Sequence, residues 1–91
     1  PGHGHLIDDP ASVLAGYLAH RLERERQVLD AVTTGTGDVG TIVEQLYPGL
    51  IDELVPRARQ SVHAHLRKLA VDGRVTADDP DDEATSWQPV P

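Results

Sequence analysis

Cysteine, methionine and phenylalanine are absent from these 91 residues, and the aromatic side chains are one Trp and two Tyr. Without Cys there is no disulfide and no thiolate metal site, so any metal would have to be held by His and carboxylates. The redox compartment stays open. Without Phe or Met, a core drawn from the 38% hydrophobic content has to be aliphatic and thin, sufficient for one small domain. No apolar run approaches the roughly 20 residues that a membrane-spanning helix needs, and no basic-then-apolar start marks a signal peptide. The expectation is a soluble, cytoplasmic chain with no membrane partner.

Positive charge is also scarce: 8 Lys and Arg stand against 15 Asp and Glu, a net charge of −7. Its placement says more than its total. Arg57, Arg59, Arg67, Lys68 and Arg74 fall within residues 57–75 with Asp72 as the lone acid there, while residues 76–91 hold Asp78, Asp79, Asp81, Asp82 and Glu83 and no cation. A basic segment is followed by an acidic tip. Arg supplies all but one of the cations, and Ala, Val, Asp and Gly are abundant, which fits a GC-rich bacterial genome.

The apolar periodicity predicts three helices. Asp9 is a good N-cap with Pro10 at the first helical position, where a preset φ and a missing N–H cost nothing. Leu14, Leu18, Leu22, Leu29 and Val32 recur at helical spacing, giving a first helix over about 10–32. Thr33 to Gly37 breaks it, Asp38 caps a second helix with Val39, Ile42, Val43, Leu46 and Tyr47 on its apolar stripe, and Pro48-Gly49 stops that one. Residues 50–55 read as a turn or helical stub. A third helix over about 56–72 places Ala58, Val62, Leu66 and Leu69 on one face and ends at Gly73, a natural left-handed cap. Arg74-Val75-Thr76 and Thr85-Ser86-Trp87-Gln88 read as strands joined by the acidic turn. The fold class is therefore mainly α with a small β-hairpin: a winged helix-turn-helix of three main helices plus a wing. In its core, Leu66 and Leu69 are expected to face Leu18, Leu22 and Leu29 of the first helix and Ile42 and Leu46 of the second.

Several polar residues are candidates for chemistry. His3 has a Gly on each side, which lets the backbone turn sharply and present an imidazole from a tight loop. His5 gives His-x-His spacing, but no compensating acid or third His is close in sequence. His63 and His65 diverge by about 200° on a helix and cannot easily share a metal. His65 falls on the apolar face and reads as a hydrogen-bonded structural residue, and His20 as exposed. Glu25 projects onto the leucine stripe of the first helix, so it needs a partner, with Arg21 or an Arg of the third helix as candidates.

Ala19-His20-Arg21-Leu22-Glu23-Arg24-Glu25, Glu44-Gln45-Leu46-Tyr47-Pro48, and Ala64-His65-Leu66-Arg67-Lys68-Leu69 leading into Gly73-Arg74-Val75 resemble the winged-helix tail of metallo-β-lactamase-fold hydrolases of the β-lactamase-like protein 2 type. The resemblance runs over about residues 1–76 and leaves the acidic hairpin unmatched. It implies that residues 1–9 are the remnant of a metal-ligand loop, that residues 10–91 are an accessory domain, and that the catalytic domain lies upstream of Pro1. In such enzymes a Pro-Gly-His-Gly loop supplies the final His of a dinuclear zinc site, a role that maps onto His3 alone. Where such loops usually carry Pro, this chain has His5, and the hallmark His-x-His-x-Asp-His cluster is absent. The resemblance therefore implies a parent hydrolase that uses zinc, and a fragment that is inactive and metal-free on its own, because a stable zinc site wants about four ligands.

A second function class is nucleic-acid binding, as a transcription-regulator module. Gln60, His63, Arg67 and Lys68 lie on the outward side of the third helix and include types that read bases or grip phosphates. An acidic wing opposes independent DNA binding. RNA as a substrate of the parent enzyme fits the resemblance better, since some relatives are endoribonucleases. Val13, Tyr17, Leu50, Ile51, Leu54 and Val55 exceed what so small a core can hide. That surplus is expected to be covered by the catalytic domain, or by a second copy in a symmetric homodimer when detached.

Overall fold

The computed structural model describes residues 10–91, so the loop bearing His3 and His5 and the proposed cap Asp9 lie outside the described residues. Helix α1 covers Pro10–Thr33, α2 Val39–Leu46 and α3 Val55–Val71, with a 3-10 turn at Asp52–Leu54 leading into α3. Strands β1 (Val75–Ala77) and β2 (Trp87–Pro89) pair antiparallel, with Val75 opposite Pro89 and Ala77 opposite Trp87.

The helix ends follow local chemistry. Asp38 sits in extended backbone, and its carboxylate accepts from both the backbone N–H and the hydroxyl of Thr41, each at 2.9 Å, satisfying a donor that the first turn would otherwise leave bare. At the other end of the domain Gly73 takes φ +75°, and Arg74 N–H donates to Leu69 O at 2.9 Å while Gly73 N–H donates to Ala70 O at 3.0 Å. This pair of bonds closes α3 and turns the chain directly into β1.

The wing differs from expectation in register. Thr85 and Ser86 are not in the second strand, because hydrogen bonds of the acidic turn occupy the chain up to Thr85: Asp82 N–H donates to Asp79 O, Ala84 N–H to the Asp82 carboxylate, and Thr85 N–H to Asp82 O. The strand starts at Trp87 and includes Pro89, tolerated in this two-stranded edge ribbon; Val90 N–H donates to Arg74 O just beyond it.

Among the described residues twelve buried apolar side chains make the core. They are Val28, Ala31 and Val32 of α1, Val39, Ile42 and Val43 of α2, Ala58, Val62, Leu66 and Leu69 of α3, and Val75 and Trp87 of the wing. The α3 face is as its periodicity indicated, but two expectations fail. The core is not wholly aliphatic, since Trp87 is 2% exposed and closes it from the wing side. More important, Leu14, Leu18 and Leu22 are exposed, and Leu29 and Leu46 only flank the core. Among the described residues the buried part of α1 is its last turns, where the row Val28, Ala31, Val32 faces inward, while the side chains of its first four turns stay exposed. The molecule is consequently elongated, 52 × 30 × 22 Å with a radius of gyration of 15.5 Å, where a compact chain of this length would have about 12 Å.

Candidate functional site

Three surfaces hold side chains that could carry function. The first is the outward face of α3, where the wing folds back over the basic residues. Arg59 Nε donates to Glu83 at 2.6 Å, Arg67 pairs with Asp81 at 3.3 Å, and the His63 ring lies 2.7 Å from Pro80 O and edge-on to Trp87. Lys68 pairs with Asp72 at 2.7 Å and with Glu25 at 3.4 Å, and the Asp72 contact is the main cause of a raised Lys68 pKa. Of the four residues read as nucleic-acid contacts, Gln60 is exposed, Arg67 and Lys68 are engaged by acids, and His63 buttresses the wing. Arg59 was not singled out by the sequence. The signal for it lies in Gly40, where an added Cβ would stand 2.8 Å from its Nη1, so the glycine leaves room for the guanidinium. Nucleic-acid phosphates would have to displace these carboxylates before meeting the cations.

The second surface is the junction of α1 and α3. Glu25 is largely covered and faces α3, as expected of a carboxylate on this stripe, but its partners are not arginines. Lys68 Nζ is 3.4 Å from one oxygen and His65 Nδ1 is 3.9 Å from the other, because His65 and Lys68 are one turn apart on the α3 face that meets α1. Arg21 makes no ion pair among the described residues. His65 is 9% exposed and makes no hydrogen bond, contrary to the hydrogen-bonded role expected of it; 3.9 Å is too long for one. Burial holds its pKa below the usual imidazole value, opposed by Glu25 and reinforced by the fields of Arg21 and Arg24. His20 is exposed.

The third surface is the N-terminal part of α1. Val13, Leu14, Tyr17, Leu18 and Leu22 are between 47% and 63% exposed. Ile51, Leu54, Val71 and Val90 are exposed elsewhere, but only on α1 do large apolar side chains follow one another turn after turn along one element. Among the described residues no group of three or more His, Asp or Glu could hold a metal, and no helix is long and apolar enough to cross a membrane.

Three helices with a short second helix, a hairpin returning beside the third, and a core shared between them define a winged-helix domain. The family of β-lactamase-associated winged-helix domains matches residues 39–87, from the start of α2 to Trp87. The chain belongs to that family. The match reaches through the acidic hairpin, which is thus part of the domain although its residues bore no resemblance of their own. Among curated proteins, a β-lactamase-like protein 2 homolog of Drosophila melanogaster is 30% identical over 94 residues, covering 99% of this chain and 32% of that protein. An atrochrysone carboxyl ACP thioesterase of Emericella nidulans is 34% identical over 79 residues, covering 82% of this chain and 26% of that protein. The chain thus spans about a third or less of the relatives it matches. No solved structure matches it.

Proposed function

We propose that this chain is the C-terminal accessory domain of a zinc-dependent metallo-β-lactamase-fold hydrolase, packing against the catalytic domain and shaping the entrance to its metal site. The observation that carries this is the apolar run Val13, Leu14, Tyr17, Leu18 and Leu22, which follows the His3 loop in sequence and is left exposed by the described residues. A helix with apolar rows on adjoining sides is a helix meant to be covered. The relatives' greater length leaves room for a covering body.

In this reading His3 is the last protein ligand of a zinc pair whose other ligands come from the catalytic domain, since the described residues offer no metal-binding set of their own. Zinc bound there would supply an activated water for hydrolysis. The isolated chain is inactive, as one detached His cannot hold such a site. The thioesterase among the relatives makes thioesters one substrate class to try, with RNA phosphodiesters another; the pocket that would choose lies in the catalytic domain. Independent nucleic-acid binding is not adopted, because the wing's carboxylates already neutralise Arg59 and Arg67.

The test is made in the full-length protein. His3→Ala should lower bound zinc and abolish most hydrolytic activity while leaving the melting transition of this domain in place. Unchanged zinc content and activity in that variant would refute the assignment of His3.

A further inference from the structure

The tip of the wing, residues 78–86, adds nothing to the core. None of its side chains is buried, whereas Trp87, at the start of β2, is 2% exposed and its backbone N–H is fixed to Gly37 O. The tip is held by polar contacts from a single row of α3. Arg59, His63 and Arg67 recur every four residues, which places them along one side of the helix. Each engages the tip: Arg59 through Glu83, His63 through Pro80 O, and Arg67 through Asp81. The Pro80 carbonyl can only accept, so His63 Nε2 carries the proton of that bond. Part of the tip nevertheless stands off the helix. A trough of about 570 Å³ opens between them, lined by Ala64, Lys68 and Val71 of α3 and by Pro80 and Asp81 of the tip.

We propose that the acidic tip is an autoinhibitory cover over a nucleic-acid-binding face of α3, its carboxylates standing where phosphodiester oxygens would otherwise bind. In helix-turn-helix proteins the recognition helix is the one that enters the groove of a duplex, and α3 holds that place in this fold. A guanidinium grips a carboxylate and a phosphate with the same donors, so Glu83 and Asp81 compete directly with a phosphate for Arg59 and Arg67. Gln60, exposed beside the row, is a residue type that reads base edges. The cover can be lifted because ion pairs this exposed are individually weak. Its removal spares the fold, because the base of the wing is anchored by Trp87 and not by the tip. This goes beyond the accessory-domain reading and needs no catalytic domain to be present.

The experiment measures fluorescence anisotropy of a short labelled DNA duplex, and of a single-stranded RNA of the same length, titrated with the 91-residue chain at low and constant ionic strength. Asp81→Asn/Glu83→Gln should bind at least tenfold tighter than the unaltered chain, with unchanged Trp87 emission. Glu44→Gln/Glu53→Gln removes the same charge from exposed positions away from the tip and should change affinity less than twofold. Adding Arg59→Ala and Arg67→Ala to the tip variant should abolish the gain. A larger gain on the duplex identifies groove insertion, and a larger gain on the RNA identifies a single-strand face. No gain on either nucleic acid, an equal gain in the Glu44/Glu53 control, or a gain that survives loss of both arginines would each overturn the proposal. If the double tip variant loses the folded Trp87 emission, Asp81→Asn alone is read instead, with at least a threefold gain expected and no gain counting against the cover. None of those outcomes bears on whether His3 holds zinc in the full-length protein, so this proposal and the accessory-domain reading fail separately.

Discussion

Leu66 has no solvent exposure and lies on the face of α3 that packs against both α1 and α2. Leu66→Ala should therefore destabilise the domain by about 2–5 kcal/mol, the lost transfer energy plus the cavity left behind, read as a shift in the urea midpoint. In so small a domain that is a large share of the total. A change under about 0.5 kcal/mol, the scale of an ordinary surface substitution, would mean that the α3 face is assigned wrongly. His65 gives a prediction of opposite kind, about charge. Its folded pKa lies below the unfolded imidazole value of about 6.5, so between those two values the unfolded chain binds more protons and stability rises with pH. The sign is fixed: the contribution of neutral His65 is intact above about pH 6.5 and is lost as pH falls toward the folded pKa. The charged groups around it are Arg21, Arg24 and Glu25 from α1, with Lys68 one turn along α3. Urea midpoints measured from pH 7 down to 5.5 should decline, and the decline should be shallower in His65→Gln; a midpoint that climbs on acidification contradicts the assignment.

At the scale of elements, what could be read in advance was whatever has a local cause. Asp38, the Pro48-Gly49 pair and Gly73 act within a turn of themselves, and the ends of α2 and α3 fall within a residue or so of where those residues place them. The strand β2 starts later than its propensity suggests because backbone N–H bonds to the Asp79 and Asp82 carboxylates lengthen the acidic turn, a competition that β-propensity alone does not register. The α1 face was misread for a different reason. Leu14, Leu18, Leu22 and Leu29 form a true stripe, but periodicity reports that a row is apolar and not what stands opposite it. The two smaller valines and Ala31 are buried because α2 and α3 stand there. For the functional surfaces, Glu25 was legible as a carboxylate needing a partner, while Arg59–Glu83 is a pairing across 24 positions that no local pattern announces. Trp87 shows how such long-range placement constrains an element. Its backbone N–H donates to Gly37 O at 2.8 Å, and a Cβ on Gly37 would collide with the Trp87 carbonyl oxygen, so the strand lies flat against the α1–α2 connection. Gly37→Ala should cost about 1–3 kcal/mol by overpacking and alter the Trp87 fluorescence, whereas unchanged emission and stability would show that the wing is not held there.

For the whole molecule, the domain is two structures in one: a closed core over the last turns of α1, and an apolar arm that the core leaves bare. In the isolated chain that arm should drive self-association, so sedimentation equilibrium should show a mass rising with concentration toward a dimer. In the full-length hydrolase it should be buried. The most direct measurement uses the absence of cysteine: Leu18→Cys introduces one thiol at the centre of the arm, and its modification by a thiol reagent, located by peptide mapping, can be compared between the full-length protein and the chain at concentrations dilute enough to be monomeric. The account predicts labelling at least tenfold slower in the full-length protein, and equal rates in the two would contradict it.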